Sequence, residues 1–506
     1  INKVENWLLA PFLLSQKALM DIDWDKAKRK PQKEGDHYYY DDDWYWKDNP
    51  VNFDIRSKYY KHKNYQKDVA YLRQFRAALL KLIAKPAAKP QRDFLNLAIA
   101  HLYFLDFKSK EALFHLNQVS KKAKPAIQAQ AHIQKVLILP QAGAITDKNI
   151  QAKLYQSLHW LEENKKLIHR FGRTISQLHL YLARVFYQKG KTPEAGLLYA
   201  QTSGTIKGDG GNGALFYSQN NSGYYQDIVF FDKYATLEDM DNTFEFYYKL
   251  NKTPFENYVC GIKEEGNKKS KDIKTREKAF VNALLDVQGT IAFRQDKLKS
   301  AYLCFAQLPD NYWKKTYEFE RYLDNPFPNK RKYYEANKTH IVERMLELKS
   351  KQTPDSLLLL ANAYFNTSAH GEAWMMFSYG KYPDEEKKEI DYNSYHYNFH
   401  PNAEKYGHIY YKLSRSAHYY KKILNHKKAT LEQKATAAFW IGKIEKIADD
   451  SGKYSDYDNR KFPPHHYILF RQFKKAKNYD HLMSCTRFYY DFKAHKYTDK
   501  NTGDNY

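Results

Sequence analysis

Small residues recur along this chain with a small partner twelve positions on, and that spacing constrains the fold more than any other feature. Ala100 is followed by Ala112, Ala183 by Ala195, Gly289 by Ala301, and Ala361 by Ala373. Around each pair the same frame returns. A large apolar residue precedes the first small one at Ile99, Leu182 and Leu360, and an aromatic follows three later at Tyr103, Phe186 and Tyr364. Gly190, Asp296 and Ser368 stand where a turn is due, and Leu116, Tyr199, Phe305 and Phe377 lie four beyond the second small residue. The Gly289 segment departs from the frame at Ala292, where an aromatic is expected and Phe293 comes one place late. The frame describes two antiparallel helices that touch at small residues, because bulky side chains there hold the backbones apart. Internal repetition on this scale is the mark of a solenoid, in which each unit packs only on its neighbours.

At 506 residues the chain is long enough for such an array, and its composition suits one. Aromatics make up 16% of it, led by 45 Tyr, which excludes a disordered chain poor in rings. Lys and Arg outnumber Asp and Glu by 82 to 58, a formal charge of +24. That surplus favours acidic partners, whether nucleic acid, an anionic membrane surface or an acidic protein. A solvated basic surface accounts for it more simply, since the cations are spread over the whole length. Cys260, Cys304 and Cys485 are far apart and form no CxxC pair, so neither a zinc ribbon nor a disulfide framework is encoded. No apolar run reaches the length of a membrane-spanning helix. The chain starts at Ile1, so a leader upstream is left open.

The segments divide the chain as follows. An aromatic and basic N-terminal stretch, partly helical, covers 1–88, and helix pairs cover 89–202. A Gly-rich insertion with helices fills 203–274, and further helix pairs fill 275–382. A loop insertion at 383–408 leads to C-terminal helices over 409–492 and a frayed tail at 493–506. Weaker helical periods run through Lys153 to Phe171, His340 to Lys349 and Ala435 to Ile447.

The four frames resemble the tetratricopeptide (TPR) family. The resemblance implies an all-α fold, an irregular TPR-like α-solenoid of helix-turn-helix pairs with loop insertions, whose groove binds peptides or protein segments. Its structural positions here are Ala100, Tyr103, Ala112, Ala183, Gly190, Ala195, Gly289, Ala301, Ala361, Tyr364 and Ala373. The run from Ala361 through Tyr364 to Ser368, Gly371 and Trp374 is similar to a segment of large TPR-like proteins of Bacteroidota, as is Leu323 to Phe327. That likeness implies a Gram-negative cell and a periplasmic or outer-membrane location, with lipid anchoring through a leader upstream of Ile1.

Candidate chemistry is thin. Gly208 to Gly213 lacks the Lys-Ser/Thr that closes a phosphate loop, and reads as a plain loop. Asp41, Asp42 and Asp43 lie between Tyr38, Tyr39, Tyr40 and Trp44, Trp46. Their spacing is not that of a calcium loop, whereas rings beside carboxylates suit packing or contact with a partner. His396 and His400 have metal-ligand spacing without the glutamate of a zinc motif. Basic runs with adjacent rings, such as Lys58 to Lys67 and Lys330 to Tyr334, offer the stacking and charge that single-stranded nucleic acid uses, yet no recognised nucleic-acid module is present. The sequence therefore reads as a non-enzymatic scaffold for protein partners, with no cofactor, no metal and no catalytic residue. A basic solenoid holding RNA or single-stranded nucleic acid is the alternative.

Overall fold

The computed structural model describes residues 65–164, 172–201, 228–261 (229 and 233 excepted), 271–314, 326–327, 337–378 (372 excepted), 403–450 and 469–484. Among these residues the secondary structure is helical throughout, and the chain is all-α. It divides into two compact units, one of residues Ile1–Leu215 and Thr243–Gly266, the other of Phe216–Asn242 and Asn267–Tyr506.

In the first unit, α1 (Tyr65–Ile83) leads through a 3-10 turn to α2 (Arg92–Leu105) and α3 (Ser109–Asn117). Leu79 of α1 packs on Leu95, Ile99 and Leu102 of α2. The opposite side of α2 carries Leu97 and Ala100 into a cluster with Ala112 and Leu116 of α3 and Ala131 and Ile138 of α4 (Pro125–Ala142). Ala100 and Ala112 are both fully buried, so the small residues lie where the helices meet. Pro125 supplies the first residue of α4, where its missing N–H leaves no bond unmade; it opens a helix as much as it closes the preceding pair. After α5 (Lys148–Glu163), capped by the Asp147 carboxylate, come α6 (Gly172–Gln188) and α7 (Thr192–Ala200).

The second unit contains the N-terminal part of α8 (Leu237–Tyr248), while α9 (Pro254–Val259) belongs to the first. It continues with α10 (Lys271–Arg294), α11 (Leu298–Phe305) and α12 (Asp310–Lys314). Then come α13 (Lys338–Lys351), α14 (Pro354–Asn366), α15 (Ala403–Tyr410), α16 (Ser414–Leu424), α17 (Leu431–Asp450) and α18 (Tyr479–Met483). Packing runs from neighbour to neighbour: α10 on α11, α11 on α13, α13 on α14, α14 on α16, and α16 on α17.

Three helix pairs share one turn. In α2/α3, α6/α7 and α10/α11 a left-handed residue stands seven positions after the small residue: Phe107 (φ 59°), Gly190 (φ 68°) and Asp296 (φ 59°). A lysine follows each time, Lys108, Lys191 and Lys297, with φ between −102° and −85° and ψ between 64° and 69°. Its N–H donates to the carbonyl five residues back, at Tyr103, Phe186 and Ala292, over 2.9–3.0 Å. Its own carbonyl then accepts from Ala112, Ala195 or Ala301 at the start of the second helix. None of these lysines caps through its side chain, so main-chain groups alone close the turn.

The fourth frame departs from expectation. Ala361 and Tyr364 are buried on α14, but no second helix carries Ala373, which leads only into a 3-10 turn at Trp374–Met376. The chain folds back on the end of α14, where the Ala373 N–H donates to the Asn366 carbonyl over 2.9 Å. A Cβ on Gly371 would collide with the Asn366 backbone. The tight return uses up the residues that a helix would need to start. A second correction concerns the insertion at 383–408, whose last part is the helix α15, running on to Tyr410.

Candidate functional site

On α10 the side chains of Asp286, Thr290 and Arg294 succeed one another every four residues, so they form a polar ridge beside the buried Leu284, Val287 and Ile291. All three are buried, at 0–1% exposure. The Lys338 ammonium, at the first turn of α13, donates to Asp286 Oδ1 over 2.9 Å and to Thr290 Oγ1 over 2.8 Å. Its remaining side faces the Phe305 ring, 5.5 Å from the ring centroid. Tyr312 of α12 donates to Asp286 Oδ2 over 3.0 Å. At the far end Arg294 pairs with the Asp232 carboxylate and donates to the Asp232 carbonyl. Burial pushes the Lys338 amine below its ordinary range, while Asp286 opposes that shift. With its protons directed at a carboxylate, a hydroxyl and a ring, the ammonium serves as an internal pin that sets α13 against α10.

The first unit has its own polar contacts. Asp106, at the end of α2, accepts from Arg73 and Arg76 of α1 over 2.8–3.1 Å. Burial works to raise the Asp106 carboxyl, yet the two guanidinium groups outweigh it and hold the group below its usual range. On α6, His179 Nε2 shares a 2.6 Å hydrogen bond with the Tyr258 hydroxyl of α9. Phe255 of the same short helix stacks on Phe186, and the Gln201 amide donates to the last carbonyls of α9 at Tyr258 and Val259. Burial lowers His179, and likewise His101 on α2, to about 4. Both are neutral at pH 7 for that reason.

An outward-facing site lies on α16. Ser416, Tyr419, Tyr420 and Ile423 form its buried stripe, with Tyr419 stacked on Tyr364 at 5.3 Å and Tyr420 parallel to Trp440 at 6.2 Å. The other face exposes His418, Lys421 and Lys422, and Lys427 and Lys428 follow in the turn to α17. Arg415 is different, because it donates to the Phe293 and Arg294 carbonyls and so caps α10, where a cation suits the helix dipole. From Lys405 to Leu431 the sequence contains no Asp or Glu. The bare charge of this face distinguishes it from the buried pairs on α10.

The expected site residues fall unevenly. Tyr38, Tyr39, Tyr40, Asp41, Asp42, Asp43, Trp44 and Trp46 lie outside the described residues, as do Gly208 to Gly213, His396 and His400. Among the described residues no three His, Cys, Asp or Glu side chains gather as metal ligands, and no helix is long and apolar enough to cross a membrane. Cys260 and Cys304 are buried, and burial raises their thiols to about 12 and about 11. Sequence reasoning missed the α10 ridge. Its signal was Asp-x3-Thr-x3-Arg in the half of the helix that also holds the apolar Leu284, Val287, Ile291 and Phe293. No family model matches the chain, and no curated protein or solved structure proves significantly similar to it.

Proposed function

We propose that this chain is a non-enzymatic scaffold: a TPR-like α-solenoid that holds protein partners as a subunit of a larger assembly. One observation carries the reading. Three helix pairs repeat small residues, a left-handed turn position and the same pair of main-chain bonds at one spacing. Stacked pairs of this kind expose long ridges of side chains, and surfaces so formed bind by burying a few anchor residues. The buried titratable groups Lys338, Asp286, Arg294, Asp232 and His179 also favour binding over chemistry, being tied into internal pairs or held neutral by burial. The aromatic stretch Tyr38–Tyr40 with Trp44 and Trp46 is the proposed anchor for a partner. Placement in a Gram-negative envelope rests only on the likeness of 323–327 and 361–374 to Bacteroidota proteins.

The test is mild cross-linking in the native cell, followed by purification and identification of what is joined to the chain. A recurrent set of proteins, lost when Tyr38–Tyr40, Trp44 and Trp46 are changed to Ala, is the expected result. Nucleic acid as the main cross-linked material would overturn the scaffold in favour of a basic RNA-binding solenoid.

A further inference from the structure

We infer that the exposed face of α16 and the turn after it form a docking surface for a carboxylate-rich segment of a partner protein. The inference rests on the scaffold reading and adds the chemistry of what is held. Lys421, Lys422, Lys427 and Lys428 are exposed, and among the described residues no carboxylate pairs with any of them. Carboxylates on neighbouring elements are already engaged. Asp296 accepts from Lys349 and from the Tyr364 hydroxyl, Asp355 accepts from Gln433, and Glu432 accepts from the Lys477 N–H. Cations in the last turn of a helix complement its dipole, which accounts for Lys421 and Lys422 but not for the two lysines beyond the helix end. Like charges left together repel, and a polyanion relieves that repulsion on binding.

The rings beneath the lysines decide between acidic protein and nucleic acid. Single-stranded nucleic acid needs open aromatic faces on which bases stack. Here Tyr419 has Tyr364 on one side and the Lys422 ammonium 5.3 Å from its centroid. Tyr420 is buried against Trp440, whose ring also lies 4.5 Å from the Lys443 ammonium. Among the rings of α16 only His418 is exposed, and a single imidazole does not make the row of platforms that successive bases need. A helix of eleven residues is about 16 Å long, which matches about five residues of extended peptide. Only Lys421 and Lys422 lie on α16, so an acidic stretch must run past the helix end into the following turn to meet all four lysines.

The experiment measures fluorescence anisotropy of a labelled decaglutamate peptide with the full chain, beside a single-stranded oligouridylate of equal charge. Decaglutamate should bind, more weakly as salt rises, and the variant K421E/K422E/K427E/K428E should weaken it by about tenfold or more. A charge-matched variant, K121E/K122E/K124E/K148E, should leave most of the affinity in place. Equal loss in both variants would reduce the effect to net charge and overturn the proposal. Oligouridylate bound more tightly than decaglutamate, and released by the α16 reversals, would overturn it in favour of nucleic acid. Absence of decaglutamate binding by a chain that still cross-links to protein partners would remove this face while leaving the scaffold intact. The reversals at 421 and 422 should lower the melting temperature by about a few degrees at most, because carboxylates in the last turn oppose the helix dipole, while K427E/K428E should leave it unchanged; a clear drop in K427E/K428E would mark those lysines as structural and overturn the assignment.

Discussion

Changing Gly289 to Ala tests the helix-pair contact at its tightest point. A Cβ there falls 2.7 Å from Phe305 Cδ1 and 2.9 Å from Cζ, with Cε1 closer still. Carbon atoms pack without strain at about 3.5–4.0 Å, so the ring must withdraw by about 1 Å. It has little room to do so, being fully buried, edge-on to Trp313 at 6.0 Å and beneath the Lys338 ammonium. Overpacking of a closed core costs about 1–3 kcal/mol, and this site belongs near the upper end. Replacing a mid-helix glycine by alanine contributes about 1 kcal/mol in the other direction. The net expectation is a loss of about 2 kcal/mol in urea unfolding followed by circular dichroism. Hydrogen exchange should quicken first in α10 and α11. Phe305→Val removes the ring and costs about 2–3 kcal/mol by itself. In that background Gly289→Ala should become neutral or stabilising, giving a coupling of about 2–3 kcal/mol across the double-mutant cycle. A Gly289→Ala protein as stable as its parent, or additivity in the cycle, would refute the close approach of α10 and α11.

Three further outcomes follow from the same structure. Lys338→Met strands the buried Asp286 carboxylate and should cost about 3–5 kcal/mol, with much of it recovered in Asp286→Leu/Lys338→Met; a thermal melt in which the double variant is no better than the single one would count against the pin. Gly190→Ala meets nothing within 4 Å, so only its φ of 68° opposes it, and a loss of about 1 kcal/mol in urea melts is expected. His101 and His179, lowered to about 4 from 6.5, contribute stability that is complete above pH 6.5 and lost as pH falls toward 4. The unfolded chain binds the extra protons in that window, so urea unfolding at pH 5 should show a loss of about 2 kcal/mol per histidine, and His101→Gln/His179→Gln should flatten the slope.

Legibility from sequence followed the physics of each element. Ala100, Ala112, Ala183, Ala195 and Ala301 could be placed at buried positions because close helix contact admits few residue types, and a spacing of such residues stands out against any composition. The turn was readable at Gly190, where a left-handed residue favours glycine, but not at Phe107, where a bulky residue takes the same φ. Ala373 misled because a one-dimensional frame carries no information on how tightly the chain returns over Asn366. The α10 ridge was hidden for a related reason: its partners Lys338 and Asp232 are 48 to 62 residues away, and charge in a basic chain looks like solvent-facing surface until the packing is known. The α16 face, by contrast, was present in the sequence as a stretch free of Asp and Glu, and needed the structure only to show which lysines point outward.

The turn shared by the three helix pairs has an evolutionary consequence. Because amide and carbonyl groups alone close the bend, its left-handed position tolerates side chains as different as Phe107, Gly190 and Asp296, and at Asp296 the side chain is spare to bind Lys349 and Tyr364. Descendants of a common ancestor can lose nearly all identity there without losing the hairpin. The hairpin therefore places its demand on the small residues at the helix contact and on main-chain geometry, and little on the side chain at the bend.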